Sequence, residues 1–580
     1  MTQPLPSQTP GDATTLQTRQ DKLVQAQATY EWDWSWPPGC ATLSELPVCE
    51  KYPPDFVALI TSVSILMAKN HAATTIAQAL LAGPSALALP PLPPPPHPTS
   101  ADDLHANLFA AAQAFHQHHG PRDRPATPDG YAAYYATIQQ TPIVTRQLKD
   151  PACTDALFAW QRVAGCNPMS LRQIKGLPAD LRLSEDDWKA VVGTGSLAAA
   201  LDNGQVYAVD FTMLHGVPAT RYLGRQKYVC GARGIFTTRE RSLVPVGIQL
   251  EPGGPVITPR DGTKWAMARY FLQVADANIH ETMEHLGRTH MVMEAVGVSA
   301  HRQLDGDHPL WLLLQPHLIG TFAINASAKT GLIAPKGVID QVFAARIDVA
   351  ASLVRLALDG FVLQDCAPTK EIAARGLNDV AAIDYPYRDD ILPVYRAIER
   401  FVRSYILVYY PDDATVGADT ELAAWVDEVG SPIGGALRGI RRVETVDGLV
   451  EWMANIIHVG SAQHAAVNFP QFPFFSWGAS VGGAAWGPPP GHHVTEDNLL
   501  ALMPPWDCIF LQADTVFQLA SVHYTRLGDY TFQDTRLSHV VAAFQADLAT
   551  IDAEIETRDA SRFLTYPFLR PSLVPASINI

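Results

Sequence analysis

The chain has 580 residues, 47% of them hydrophobic, enough to bury a large core and well above what a disordered chain carries. Its 42 basic and 58 acidic residues give a net charge of −16 and are scattered rather than blocked, so no nucleic-acid footprint is expected. The seven cysteines are dispersed, odd in number and form no CxxC pair, which argues against a disulfide framework or a zinc ribbon.

Residues 1–28 are rich in Gln, Thr and Ser and are expected to lack order; they show no cationic start followed by an apolar core, so no signal peptide is expected. Residues 29–149 read as a helical N-terminal portion. Its helix-like stretch from 55 to 87 contains "FVALITSVSILMA", shorter than the roughly 18 apolar residues of a membrane span, and is read as a buried or surface-docking helix. The prolines of "LPPLPPPPHPTS", residues 89–100, forbid a regular helix and suggest a stiff connection. "AFHQHHG", residues 114–120, reads as a solvated helix end, because no carboxylate or thiolate accompanies its histidines. From 150 to 580, long apolar-periodic segments alternate with Gly and Pro punctuation and read as helices. The exceptions are "GQVYAVDFTML" and "SLVPVGIQL", whose alternation suits paired strands. The expected architecture is one large, mainly α core with a small β subregion, in a soluble protein, cytoplasmic or secreted, with a monomer favoured.

Residues 262–300 lack proline and are apolar on nearly every face, as the central helix of a large protein is. Into this setting the sequence puts His280, Glu281, Glu284 and His285, whose burial is costly unless each polar group finds a partner. His280 and His285 are five residues apart, about 140° around a regular helix and too divergent to share one ion comfortably. A π-type turn, with bonds from i to i+5, brings both rings to one side, so a π segment is expected here. His290, ten residues past His280, is read as a core histidine with a structural partner.

Further histidines follow in "RQLDGDHPLWLLLQPHLIGTFAINASAKTG", then His464 and Asn468 in "SAQHAAVNFPQFPF", and the sequence closes on "RPSLVPASINI". These stretches, in this order, with "FAWQRVAGCNP", "FTMLHGVPA" and "ITPRDGTKWAMARYFLQVADANIHE" upstream, resemble the lipoxygenase family from about 150 to 580. The resemblance implies a non-heme iron site, with manganese as the alternative. His280, His285 and His464 match the imidazole ligands, the main-chain carboxylate of Ile580 a fourth ligand, and Asn468 a weak fifth. It makes His290, His308 and His317 structural, Gln471 a hydrogen-bonded link between ligand side chains and substrate cavity, and Ala357 the position that governs oxygen access.

The implied activity is insertion of O2 into a polyunsaturated fatty acid bearing a cis,cis-1,4-pentadiene, begun by bis-allylic hydrogen abstraction by ferric hydroxide. The helix "AASLVRLALDGF", residues 350–361, is expected to wall the substrate channel. A hydroperoxide isomerase or lyase on the same scaffold, and a silent fatty-acid carrier, are the rival readings. Two features depart from the family pattern: Pro470 replaces a glycine, and "SWGASVGGAAWGPPPGHH" lacks an arginine, leaving the substrate carboxylate without an obvious anchor. The chain leaves no room for an N-terminal β-sandwich before the core and is similar to bacterial lipoxygenases. Residues 55–90 are expected to form a lid that touches membrane lipid, or else core helices.

Overall fold

The axis of the fold is one uninterrupted helix whose winding changes twice. In the computed structural model, which describes residues 5, 13–82, 124–149, 153–218 and 220–580, Thr263–Ile279 is α-helical, His280–Met291 is a π-helix and Val292–Gln303 is α-helical again. The widening expected around His280 and His285 is thus a twelve-residue segment, long enough to bring His290 into the same register. Bonds from i to i+5 align residues five apart, which is the spacing of these three imidazoles. Gly287, inside this segment, permits a close approach by the helix Ile347–Asp359: a Cβ there would lie 2.7 Å from the Cβ of Ala357 and 3.1 Å from the carbonyl oxygen of Thr282. Gly287→Ala should therefore lower stability by about 1–3 kcal/mol through overpacking, and adding Ala357→Gly should restore most of it. Thermal unfolding of the single and double variants checks this, and equal losses in both would show that Ala357 is not the obstacle.

Against Val292–Gln303 lies the helix Thr420–Gly430, anchored by the fully buried Trp425. Its indole nitrogen donates to the carbonyl of Val296 at 3.1 Å, and its ring meets Trp452 edge to face at 5.6 Å. Such a pair adds about 0.5–1.5 kcal/mol to the burial of its area. On the same stretch packs the helix Ala13–Thr29, which corrects the expectation of a segment without order over residues 13–28. Its polar composition hid the reason: Arg19 is buried and grips Glu421 with two bonds, 2.5 and 3.0 Å. A two-pronged pair of this kind fixes orientation as well as charge.

The segment 29–149 is less uniformly helical than expected. It opens with a short hairpin, Trp32–Asp33 paired with Thr42–Leu43, before the helix Pro54–Ala82. That helix, over Pro54–Thr74, is long and apolar enough by length and composition to cross a membrane, although only 28% of the window is buried. Phe56, Ile60 and Val63 turn into the core, while Ile65 and Leu66 are exposed. Asn70 fastens it by donating to the Tyr134 carbonyl at 2.6 Å, and His71 lies 2.5 Å from Asp514. The proline-rich stretch 89–100 and the histidines of 114–120 lie outside the described residues.

The two expected strands form as Val206–Asp210 and Ser242–Gln249 in a five-stranded antiparallel sheet, but they do not pair with each other. Arg233–Arg239 inserts between them, with Tyr207 opposite Phe236 and Thr237 opposite Val244. A mainly α core with few strands is what the sequence led us to expect.

Candidate metal centre

Two helices cross to build the site. The π segment presents His285 and His290 on one face, and a second interrupted helix meets it: Val446–His458, a π turn at Val459–Gln463, then His464–Asn468. No feature of the sequence had signalled this second widening. Nε2 of His285 lies 3.2 Å from Nε2 of His290 and 3.3 Å from Nε2 of His464. The three rings are buried and form the group of metal-ligating side chains found among the described residues.

Neighbouring acceptors determine where the protons sit. His285 Nδ1 is 3.2 Å from a carboxylate oxygen of Glu281, and His290 Nδ1 is 2.7 Å from the amide oxygen of Asn325. Each acceptor requires N–H on Nδ1, which leaves a lone pair on each Nε2. Those lone pairs point at one another across 3.2 Å, a repulsive arrangement unless a cation lies between them. A proton is a poor candidate, because burial pushes His290 down to about 3 and drives His464 well below the ordinary histidine value. The donor set therefore fits a metal ion, and three imidazole nitrogens suit a divalent first-row metal.

His280 stands outside this group, contrary to the sequence reading, and His290 stands inside it. Nε2 of His280 lies 2.8 Å from the carbonyl oxygen of Val467. A carbonyl only accepts, so that nitrogen carries hydrogen and offers no lone pair. Its ring stacks parallel to that of His285 at 5.9 Å, one turn further from His464. Burial holds it down at about 4, so it is a neutral core imidazole. The structural roles read for His308 and His317 are visible. His308 caps the helix Pro309–Leu314 by accepting from the amide of Leu310 at 3.1 Å, and His317 Nδ1 donates to the carbonyl of Ala576 at 2.6 Å.

That second bond holds the chain's last residues. Residues 574–580 are buried, and Ile580 lines a small cavity together with His285, His290, Glu281, Leu286, Ile324, Leu332, Gln518 and Leu519. Asn468 sits one helical turn after His464. Its amide nitrogen donates to Leu519 at 2.8 Å and its oxygen accepts from Gln471 at 3.1 Å, while the same Gln471 nitrogen is 3.4 Å from His285 Nδ1. Gln471 thus lies within reach of both Asn468 and His285.

A family model described as Lipoxygenase matches residues 132–482. A linoleate 9/13-lipoxygenase of Pseudomonas aeruginosa is 34% identical over 482 residues, covering 78% of this chain and 69% of that protein. The chain belongs to the lipoxygenase family. The hydroperoxide isomerase ALOXE3 of Rattus norvegicus is 32% identical over 445 residues, covering 74% of this chain and 62% of that relative's length. Among solved structures, coral 8R-lipoxygenase superposes with a TM-score of 0.81 at 23% identity, over all of this chain and 83% of that one, a likeness of fold. This lipoxygenase is accordingly an enzyme of the dioxygenase class.

In this lipoxygenase the cavity beside the imidazoles adjoins a second one lined by Val338, Ile339, Val342, Phe343, Phe475 and Val516, and the two share Glu281, Leu332 and Leu519. Each has a volume of about 20 Å³. Both are almost wholly apolar, Glu281 being the one ionisable side chain common to them. Residues 350–361, expected to wall a channel, line neither cavity; the helix Ile347–Asp359 packs against the π segment instead. Ala357 is fully buried there, against Gly287. Sequence reasoning passed over Glu281 as a partner and missed Asn325 and Gln518. "INA" within the quoted motif held Asn325, but nothing local marked it as a neighbour of His290.

Proposed function

We propose that this lipoxygenase is an iron dioxygenase of polyunsaturated fatty acids carrying a cis,cis-1,4-pentadiene, with the metal held by His285, His290 and His464. The carboxylate of Ile580 and the amide oxygen of Asn468 complete the set. The observation that carries this reading is the convergence of three buried imidazoles at 3.2–3.3 Å beside an apolar cavity. When bound, iron supplies the one-electron acceptor for removal of a bis-allylic hydrogen.

The chain's own residues do the remaining work. Glu281 and Asn325 keep the protons of His285 and His290 on Nδ1, so both Nε2 atoms stay available as ligands. Leu286, Ile324, Leu332 and Leu519 contact the acyl chain and exclude water from the radical. Gln471 holds the Asn468 oxygen in place. Ala357, behind Gly287, sets how closely the outer helix presses on the ligand-bearing segment. Lipid contact falls to the helix Pro54–Ala82, where Ile65 and Leu66 face outward.

The test is metal analysis of the purified protein, oxygen uptake and conjugated-diene formation with linoleate, and chiral product analysis. Iron with oxygen uptake and a hydroperoxide product is the expected result. Manganese with the same turnover would reassign the metal. Iron without oxygen uptake, but with turnover of supplied fatty-acid hydroperoxide, would replace this reading by the isomerase one that ALOXE3 represents.

A further inference from the structure

We infer that Asn325, held in one orientation by Glu294, is a positioning residue that decides which nitrogen of His290 carries hydrogen, and that the N-terminal hairpin completes this device. The inference rests on His290 being a metal ligand.

Asn325 Oδ1 is 2.7 Å from His290 Nδ1. An amide can present either end to that nitrogen, with opposite consequences. Oxygen requires N–H on Nδ1 and leaves Nε2 free to bind metal; nitrogen requires a lone pair on Nδ1 and puts hydrogen on Nε2, blocking it. The choice is made by what the other end of the amide meets. Asn325 Nδ2 donates to a carboxylate oxygen of Glu294 at 2.7 Å and to the carbonyl of His290 at 3.2 Å. The carbonyl only accepts, and so does Glu294 in its carboxylate form, so only nitrogen fits there and oxygen must face the ring. Flipping the amide would set its oxygen against two other oxygens in a site where Asn325 and Glu294 are both buried.

Glu294 in turn needs a donor for its second oxygen. The backbone amide of Leu43 provides it at 2.7 Å, from the hairpin strand Thr42–Leu43. The line Leu43, Glu294, Asn325, His290 runs from the N-terminal segment to the imidazole cluster without a break, each bond 2.7 Å long. A carboxylate with two donors, an amide with its ends distinguished and an imidazole with one tautomer form a chain in which each polarity dictates the next.

Asn325→Leu removes the acceptor while keeping the volume, and is expected to weaken Fe(II) binding by about 10–100-fold, the usual cost of losing such a partner. The pair Asn325→Asp with Glu294→Gln moves the negative charge one residue inward. The new carboxylate accepts from His290 Nδ1 and from the glutamine amide, whose oxygen accepts from Leu43. Only the contact with the His290 carbonyl is then mismatched.

The measurement is anaerobic chelator competition for Fe(II) on the full chain, together with the absorption bands of the Co(II)-loaded protein, at pH 8. The double variant should bind within about tenfold of the starting protein and keep its Co(II) spectrum, whereas Asn325→Leu should not. Two substitutions that outperform one are the opposite of what a purely structural role gives. If Asn325→Leu fails to fold, the double variant decides alone. A folded double variant that has lost its metal, or an Asn325→Leu protein that binds as tightly as the starting one, overturns the inference. Absence of Fe(II) binding by the unaltered protein overturns the reading of the centre itself, and the inference with it.

Discussion

His290→Ala abolishes metal binding, and His280→Ala does not: that is the expected result of measuring bound iron per chain in the two variants after purification under identical conditions. Both side chains are buried imidazoles in the same π segment, five residues either side of His285. Composition and burial cannot separate them; direction does. His290 Nε2 faces His285 Nε2 at 3.2 Å with its own Nδ1 proton committed to Asn325, so its removal takes away one of three converging nitrogens. Without it the remaining imidazoles do not retain a divalent ion through purification, and turnover with linoleate should fall by about three orders of magnitude, given how fully redox chemistry depends on the retained metal. His280 donates to the Val467 carbonyl instead. Its loss strands a buried acceptor, which costs about 1–3 kcal/mol of stability, while the metal content stays near that of the starting protein. A His280→Ala protein that folds but purifies without metal, beside a His290→Ala protein that retains it, would reverse the assignment.

This pair of residues also marks the limit of what the sequence disclosed. The buried helix, its non-α spacing and the π winding followed from one stretch of residues, because a run of apolar positions and an i, i+5 repeat are local properties. Three imidazoles at equal spacing, however, offer two adjacent pairs, and choosing between them depends on where the helix carrying His464 crosses. That crossing is set by long-range packing, including the second π turn at Val459–Gln463, which leaves no trace in composition. The family resemblance was legible for the same reason that the register was not: motifs record which residues recur, not which nitrogen faces which. The N-terminal helix was misread on similar grounds. Gln and Thr dominate Ala13–Thr29, and the buried partner that orders it, Glu421, lies 402 residues away in sequence. Strand Arg233–Arg239 escaped notice because it is buried on most of its length and so lacks the alternation of a half-exposed strand.

Extending the chain by a single glycine after Ile580 should remove the metal as completely as losing a histidine, although the change touches no side chain of the cluster. The terminal segment cannot slide to absorb an insertion. The amide of Leu527 donates to Val574 at 2.9 Å, His317 donates to Ala576 at 2.6 Å, the Ser577 hydroxyl donates to Ile319 at 2.7 Å and Asn579 donates to Tyr524 at 2.8 Å. Four successive anchors fix the register up to residue 579, so an added residue must advance into the cavity that Ile580 lines with His285 and His290. One residue displaces the carboxylate by about 3.8 Å, and the cavity has a volume of about 20 Å³. The comparison that isolates the carboxylate from the side chain is Ile580→Val, which leaves the terminus in place and trims one methylene from a residue that is 1% exposed. That variant should keep its full complement of metal and lose only about 0.5–1.5 kcal/mol of stability. Metal analysis and thermal unfolding on the two proteins separate the roles: an extended chain that still carries iron would show that the main-chain terminus is no ligand, and that the three imidazoles with Asn468 suffice to hold the ion.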